Sequence, residues 1–271
     1  MFVKTKVEKY EKLKSFFKGP EFIRASAVIY SNRDGDVFVD NEDEPNLAFV
    51  NTSNFSYLSG GLSSLKKSDD FKTSFNDLFE KDKSTKKHVI KIVTPDKEWI
   101  APVMEIIKEK EPYIMPYHQY QCRKVKLNWR DMLPKNYEVR EIDNKFLEDV
   151  PLELAKDIEG LIEKTQWNSK EKFIAHYGGI CLFDKDKLVS HSFMFYNKGD
   201  DSYELSIATD KEYRLRGFGS ITTAACAELA LKRASIVRWT CKAQNEGSVK
   251  TALKAGFELV KENDTVFVNL R

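Results

Sequence analysis

Thr209-Asp-Lys-Glu-Tyr-Arg214-Leu-Arg216-Gly217-Phe218-Gly219-Ser220, opening onto the small-residue run Ile221-Thr-Thr-Ala-Ala-Cys-Ala-Glu-Leu-Ala-Leu, is the stretch on which the fold turns. Tyr203 to Ala208 before it has the composition of a strand, so the order is strand, short basic glycine loop, helix. That order makes a phosphate cradle. Glycines at 217 and 219 let successive backbone N–H groups converge, and the first helical turn adds unpaired donors and the positive end of its dipole. Arg214 and Arg216 bring charge beside those amides. A basic strand-to-helix turn also occurs in α/β proteins that bind no phosphate, so the next segment has to decide.

That segment is Trp239-Thr-Cys-Lys-Ala-Gln-Asn245-Glu-Gly-Ser248-Val-Lys-Thr-Ala252-Leu-Lys254-Ala-Gly256-Phe257, a strand, a capped helix and a Gly-Phe stop. Arg-x-x-Gly-x-Gly after one strand and Asn-x-x-Ser with Lys-x-Gly-Phe after the following one resemble the GNAT superfamily of acyl-CoA-dependent N-acyltransferases. The resemblance implies acetyl-CoA as cosubstrate. It puts Ile207, Ala208 and Thr209 on the pantetheine arm and Arg214, Leu215, Arg216, Gly217, Phe218, Gly219 and Ser220 on the pyrophosphate, with Asn245 and Ser248 near the thioester. Many family members carry a tyrosine acid seven residues after the Asn, where this chain has Ala252, so that acid is excluded here. The same departure occurs in two-part bacterial acetyltransferases that include the zwittermicin A self-resistance enzymes, a group the chain also resembles through Phe55-Ser-Tyr57-Leu-Ser-Gly60-Gly and the Tyr213-Arg214 loop.

Composition agrees with a globular enzyme. The 271 residues suit two modest domains, and 41% hydrophobic with 32% charged residues argues against long disorder. Lys and Arg (44) nearly cancel Asp and Glu (42), which speaks against a protein built to grip nucleic acid. Cys122, Cys181, Cys226 and Cys241 have no metal-like spacing and read as buried free thiols, while His88, His118, His176 and His191 are too scattered for zinc. No metal is expected. Charged residues interrupt the N-terminal apolar positions 3, 7, 10, 13 and 17, which predicts an amphipathic surface helix rather than a signal peptide. With no apolar run near the roughly 20 residues of a membrane span, a cytoplasmic protein is expected.

The predicted fold class is α/β with a mixed sheet: a GNAT domain over 134–271, preceded by a smaller mixed α/β domain over 1–133 on the acceptor side. No internal repeat is visible in the residues, although a degenerate GNAT-like first half is compatible with the resemblance. Strands are predicted at Val37 to Val39, Leu47 to Val50 and His88 to Val93, with a helix from Pro95-Asp96 through Ile107. Tyr113 to Tyr120 reads as a packed crossover strand rather than a base-stacking platform. In the second half come a strand from Tyr137, helices Pro151 to Lys164 and Ser169 to His176, and three strands joined by turns at Asp184 to Lys187 and Asn197 to Asp201. Trp167 falls where GNAT folds shape the acceptor side, whereas the cofactor residues all follow Ser202, so a chain beginning near Leu133, if soluble, is expected to bind CoA but lose amine selectivity.

Transfer requires a neutral amine, a proton acceptor and a donor for the developing oxyanion. Glu204, the carboxylate on the strand entering the cradle, is the first candidate base and His191 the second. A backbone N–H freed by a splay of the strand ending at Ala208 would stabilise the oxyanion. Ser248 is the candidate donor to the leaving sulfur, and both it and Asn245 also fit a plain helix cap. The favoured function is acetyl transfer to a small-molecule amine, an amino-containing antibiotic or metabolite being hinted at. The alternative is a CoA-binding sensor or scaffold with little turnover.

Overall fold

The computed structural model describes residues 2–270 except 32, 53–54, 67–68, 84–87, 152–154, 157, 161–172 and 175–177. Its strands are β1 Val3–Lys4, β2 Asp36–Val39, β3 Leu47–Asn51, β4 Ser56–Gly60, β5 Val89–Val93, β6 Tyr113–Cys122, β7 Tyr137–Glu141, β8 Gly179–Asp184, β9 Lys187–Asn197, β10 Ser202–Thr209, β11 Ile236–Lys242 and β12 Glu258–Asn269. They form one 12-stranded sheet in the order β1-β2-β3-β4-β5-β12-β6-β11-β10-β9-β8-β7. The mixed α/β fold class expected from the sequence is the one observed. Read inward from each edge, the order is a duplication. An antiparallel run (β1 to β4, β7 to β10) leads to a parallel neighbour (β5, β11) and then to the antiparallel β12–β6 pair at the centre.

The two halves exchange their last strands. β6 closes the second half against β11 through Val237↔Cys122 to Lys242↔Tyr117, and β12 closes the first against β5 through Thr265↔Val93 to Asn269↔Val89. The 133/134 boundary falls in the connection between β6 and β7, and the exchange runs across it. A chain starting at Leu133 therefore lacks the strand beside β11 and exposes that edge. The repeat escaped the residue pattern because strand pairing asks only for alternation and burial, which many sequences meet.

Helices α1 (Ile23–Ile29), α2 (Asp69–Lys83), α3 (Ile100–Ile106), α4 (Phe218–Leu231) and α5 (Glu246–Ala255) cover the sheet. The buried residues of α4 include Ala224, Ala225, Cys226, Ala227 and Ala230, small side chains that let a helix apolar on most sides lie close to Tyr203, Leu205, Val237 and Trp239. α5 starts where Asn245 accepts the Ser248 N–H and stops at Gly256, whose φ of +106° is left-handed. A side chain at 256 would also meet the Lys126 backbone nitrogen at 2.7 Å. On the opposite face α1 packs against β9 and carries Arg24 to Glu204 of β10.

Local departures have local reasons. The N-terminal amphipathic segment is a 3₁₀ helix over Val7–Leu13 that buries Tyr10 and Leu13 and leaves Val7 exposed. The predicted Pro95 helix begins later, as a 3₁₀ turn Lys97–Trp99 capped by Asp96, followed by α3. Trp167 and most of the expected Ser169 to His176 helix lie outside the described residues, as does part of the Pro151 to Lys164 helix.

Candidate active site

Parallel pairing of β10 with β11 covers only Ser202↔Ile236 to Glu204↔Arg238, although β10 runs on to Thr209 and β11 to Lys242. Beyond Glu204 the strands part. β9 stays paired to β10 along its length and β6 to β11, so the sheet opens in a wedge with its apex at Glu204. Asp210 donates its N–H to Val189 of β9 at 2.8 Å, so strand alternation turns the N–H groups of Leu205, Ile207 and Thr209 to the β11 side, those of Ile207 and Thr209 into the wedge. Ala208, expected on the cofactor, faces β9 instead: the same alternation commits its N–H to that strand, and its carbonyl accepts from the Ser190 hydroxyl at 3.0 Å. The N–H of Leu205 is spent on the last pair, since Glu204↔Arg238 closes through it, so Ile207 and Thr209 are the strand donors that the parting leaves unpaired by β11.

The glycine loop stands at the wide end. Gly217 caps α4 with φ +87°, and no atom lies within 4 Å of where its Cβ would be. Leu215 has φ +63° and a fully exposed side chain, a strained conformation no packing explains. Ser220 and Ile221 turn their N–H groups onto the Gly217 carbonyl, which leaves those of Phe218 and Gly219 at the helix mouth. Gly219 faces Thr209 of β10 and Thr251 of α5, its missing Cβ 3.3 Å from the Thr209 hydroxyl. Arg214 donates to the Thr209 carbonyl at 3.1 Å. Arg216 lies over Tyr213 (5.2 Å) and Phe218 (5.0 Å) and donates to the Tyr137 hydroxyl at 3.0 Å. The result is a rigid, cationic, open concavity suited to a diphosphate.

Along the other wall, Trp239 donates its indole N–H to the Ser248 hydroxyl oxygen at 3.1 Å, which leaves the Ser248 O–H to donate. Ala252 is fully buried among α4 and β11 side chains, so no tyrosine fits where many relatives keep one. Cys241 lies beside Ser248. Burial raises its pKa despite hydrogen bonds from Ser248 and Trp239, and burial likewise raises those of Cys122 and Cys181 and pushes Cys226 up to about 12. With these thiols held protonated by burial, none of the four supplies a thiolate nucleophile.

Glu204 at the apex is buried. Arg24 grips it in a fork, Nε to Oε2 at 2.8 Å and Nη2 to Oε1 at 2.7 Å, and Arg33 stands 3.9 Å from Oε2. Burial alone would raise its pKa, but the Arg24 charge and hydrogen bonds outweigh that and hold it below the usual carboxylate value. A carboxylate so held by a guanidinium gives up that pairing when it takes a proton, which makes Glu204 a poor general base and suits it to anchoring Arg24. His191 is pushed down to about 4 by burial and is a weak base at neutral pH. Missed by sequence reasoning is Glu21, buried beside α1: one oxygen accepts from Lys261 at 2.7 Å, while Oε2 has no hydrogen-bond partner among the described residues. Glu21 lines a cavity of about 10 Å³, room for one water-sized group, with Arg24, Phe55, Tyr57, Tyr117, Gln119 and Thr240. First-half and second-half residues meet there, one strand from the wedge.

Among the described residues no group of His, Cys, Asp or Glu is placed to hold a metal, and no helix is long and apolar enough to cross a membrane. Residues 14–266 match the model of the GNAT acetyltransferase family. The uncharacterized N-acetyltransferase YdfB of Bacillus subtilis (strain 168) is 23% identical over 259 residues, covering 94% of each chain. A GCN5-related N-acetyltransferase-like protein from Streptococcus suis superposes with a TM-score of 0.66 at 19% identity, over 97% of this chain and 98% of that one. A tandem GNAT protein from the clavulanic acid biosynthesis pathway does so at 0.59 and 9%, over 100% and 98%. Those two likenesses speak to the fold, whereas the family model spans nearly all the residues that build the wedge, the loop and the cavity: the chain belongs to the GNAT acetyltransferase family and is an N-acetyltransferase.

Proposed function

We propose that the enzyme transfers the acetyl group of acetyl-CoA to the amine of a small molecule held between its two halves. One observation carries this: the wedge between β10 and β11 has the glycine loop at its wide end and the Glu21 cavity beside its apex. Acetyl-CoA, whose place the residues fit, would set its diphosphate on the N–H groups of Phe218 and Gly219 with Arg214 and Arg216 beside it, and its pantetheine along Ile207 and Thr209. When bound it supplies an activated thioester. Ile207, the first donor past the last β10–β11 pair, then offers its backbone N–H to the developing oxyanion.

The remaining steps belong to this chain's own groups. The acceptor nitrogen enters the cavity, where Glu21 Oε2 takes the ammonium proton and passes it to solvent. The freed lone pair forms the C–N bond, and as the C–S bond breaks the nitrogen gives its second proton to water. Ser248, oriented by Trp239, turns its O–H from Cys241 to the departing thiolate, which takes a proton from water. Glu204 holds Arg24 and so shapes the cavity wall without exchanging protons.

Amine-dependent release of the CoA thiol, with one acetyl group gained by the amine, tests the reading. Replacing Glu21 by Gln should lower kcat/KM roughly a hundredfold while leaving acetyl-CoA affinity nearly unchanged. Should no amine in a broad small-molecule panel accelerate thiol release, the acceptor class is wrong.

A further inference from the structure

Resting on the small-amine reading, we infer that Lys91 and Lys242, set over the rings of Phe55, Tyr117 and Phe267, form a subsite for a carboxylate carried by the acceptor, so that the substrates are amino acids or similar amino-carboxylates. The rings are contiguous: Phe55 meets Tyr117 at 5.7 Å and Tyr117 stacks on Phe267 at 6.1 Å between centroids. Lys91 Nζ lies 4.7 Å from the Phe55 centroid and Lys242 Nζ lies 5.3 Å from that of Phe267. Register ties them further, since Lys91 is the cross-strand partner of Phe267 and Lys242 that of Tyr117.

These cations converge without a counter-ion. Among the described residues neither lysine has a carboxylate partner, and Arg24, which lies 4.8 Å from the same Phe55 ring, is committed to Glu204. Lys91 is half-buried, and burial first, then the charges of Arg24 and Lys242, lowers its pKa. Lys242 is exposed at the rim, so the unpaired charge of half-buried Lys91 is the one an anion joining the two would relieve. Phe55 and Tyr117 also line the Glu21 cavity, so an anion between the lysines would sit beside the place of the amine. The phosphates of CoA do not account for the pair. Trp239 and Cys241 pack toward α4 and α5, so alternation sends Lys242 to the opposite face, away from the α4 N-terminus.

The test compares amino acids with their decarboxylated counterparts: glycine, β-alanine, 4-aminobutanoate and lysine against methylamine, ethylamine, propylamine and cadaverine. In the wild type, kcat/KM should favour the carboxylate-bearing member of at least one pair by tenfold or more. That ratio should collapse toward one in Lys91→Met and Lys242→Met and survive in Lys91→Arg, with the KM for acetyl-CoA unmoved. In a second measurement without ligand, Lys91→Met should raise Tm, because it removes an uncompensated half-buried charge, whereas a purely structural lysine would give a lower Tm. Equal rates within every pair, a ratio that survives both Met variants, or a lower Tm overturns the subsite while leaving transfer to small amines standing. If no member of either set is acetylated, both fall.

Discussion

The strand-loop-helix of the second half has a counterpart in the first, and the two diverge where a ligand would sit. β4 leaves β5 after the pair Tyr57↔Val93, as β10 leaves β11 after Glu204↔Arg238. Past the wedge, however, Gly60 has φ +128°, and a Cβ there would lie 2.1 Å from the Asn46 carbonyl oxygen, whereas Gly217 faces open space. One glycine is needed because backbone crowds it, the other because its turn leaves a concavity empty. Gly61-Leu62-Ser63-Ser64 follows in the first half where Arg214-Leu215-Arg216-Gly217 stands in the second, so the cationic lining is absent as well. The sheet accepts both versions, since pairing and burial do not depend on those few positions. A cofactor site does.

Removing the first half should have the largest effect. A chain starting at Leu133 loses β6, leaving β11 and β12 each without their central partner, and should be insoluble or lack a cooperative unfolding transition. A soluble truncated chain that unfolds cooperatively and binds acetyl-CoA would show that strand exchange is dispensable.

Glu204→Gln should cost about 3 to 5 kcal/mol, because it strands the Arg24 charge in a buried site. The native pKa of Glu204 is depressed, so its contribution is complete above the ordinary carboxylate range and fades as pH falls through the native value. Tm plotted against pH should therefore lose part of its fall below about pH 4.5 in the variant. An unchanged Tm would mean that the pair fixes geometry without net stabilisation.

The glycines separate the halves directly. Gly60→Ala should destabilise by about 3 kcal/mol through crowding and positive φ, with binding altered only as folding is. Gly217→Val should instead weaken acetyl-CoA at least tenfold, about 1.4 kcal/mol, in a protein that remains folded. Calorimetry of the wild type should give one acetyl-CoA per chain. Two equivalents would restore a site to the first half and break the contrast.

The smallest effect is expected at His191, on β9 behind the wedge. With its pKa at about 4 it is neutral in the folded enzyme, while the unfolded chain takes up a proton at the ordinary value. It therefore contributes stability above about pH 6.5 that is lost toward pH 4. His191→Gln should flatten Tm over that window and leave the kcat profile above pH 6 alone. A shifted kcat profile would return His191 to the candidate bases.

Sequence alone determined what local chemistry determines. The glycine loop with its two arginines, the Asn245 cap, the Gly256 stop, the exclusion of a tyrosine at Ala252 and the hairpin turns all rest on residues a few positions apart, where backbone conformational preference and capping act directly. Tertiary structure decided the rest. The exchange of β6 and β12, the point at which β10 leaves β11, the pairing of Arg24 with Glu204 across 180 residues and the gathering of Glu21, Lys91 and Lys242 around one aromatic cluster depend on strand order and register. No local pattern encodes these, because a carboxylate on a strand has the same sequence signature whether it meets solvent, substrate or an arginine from the other half. Glu204 was legible as a charge at the apex, and only its partner decided that it anchors.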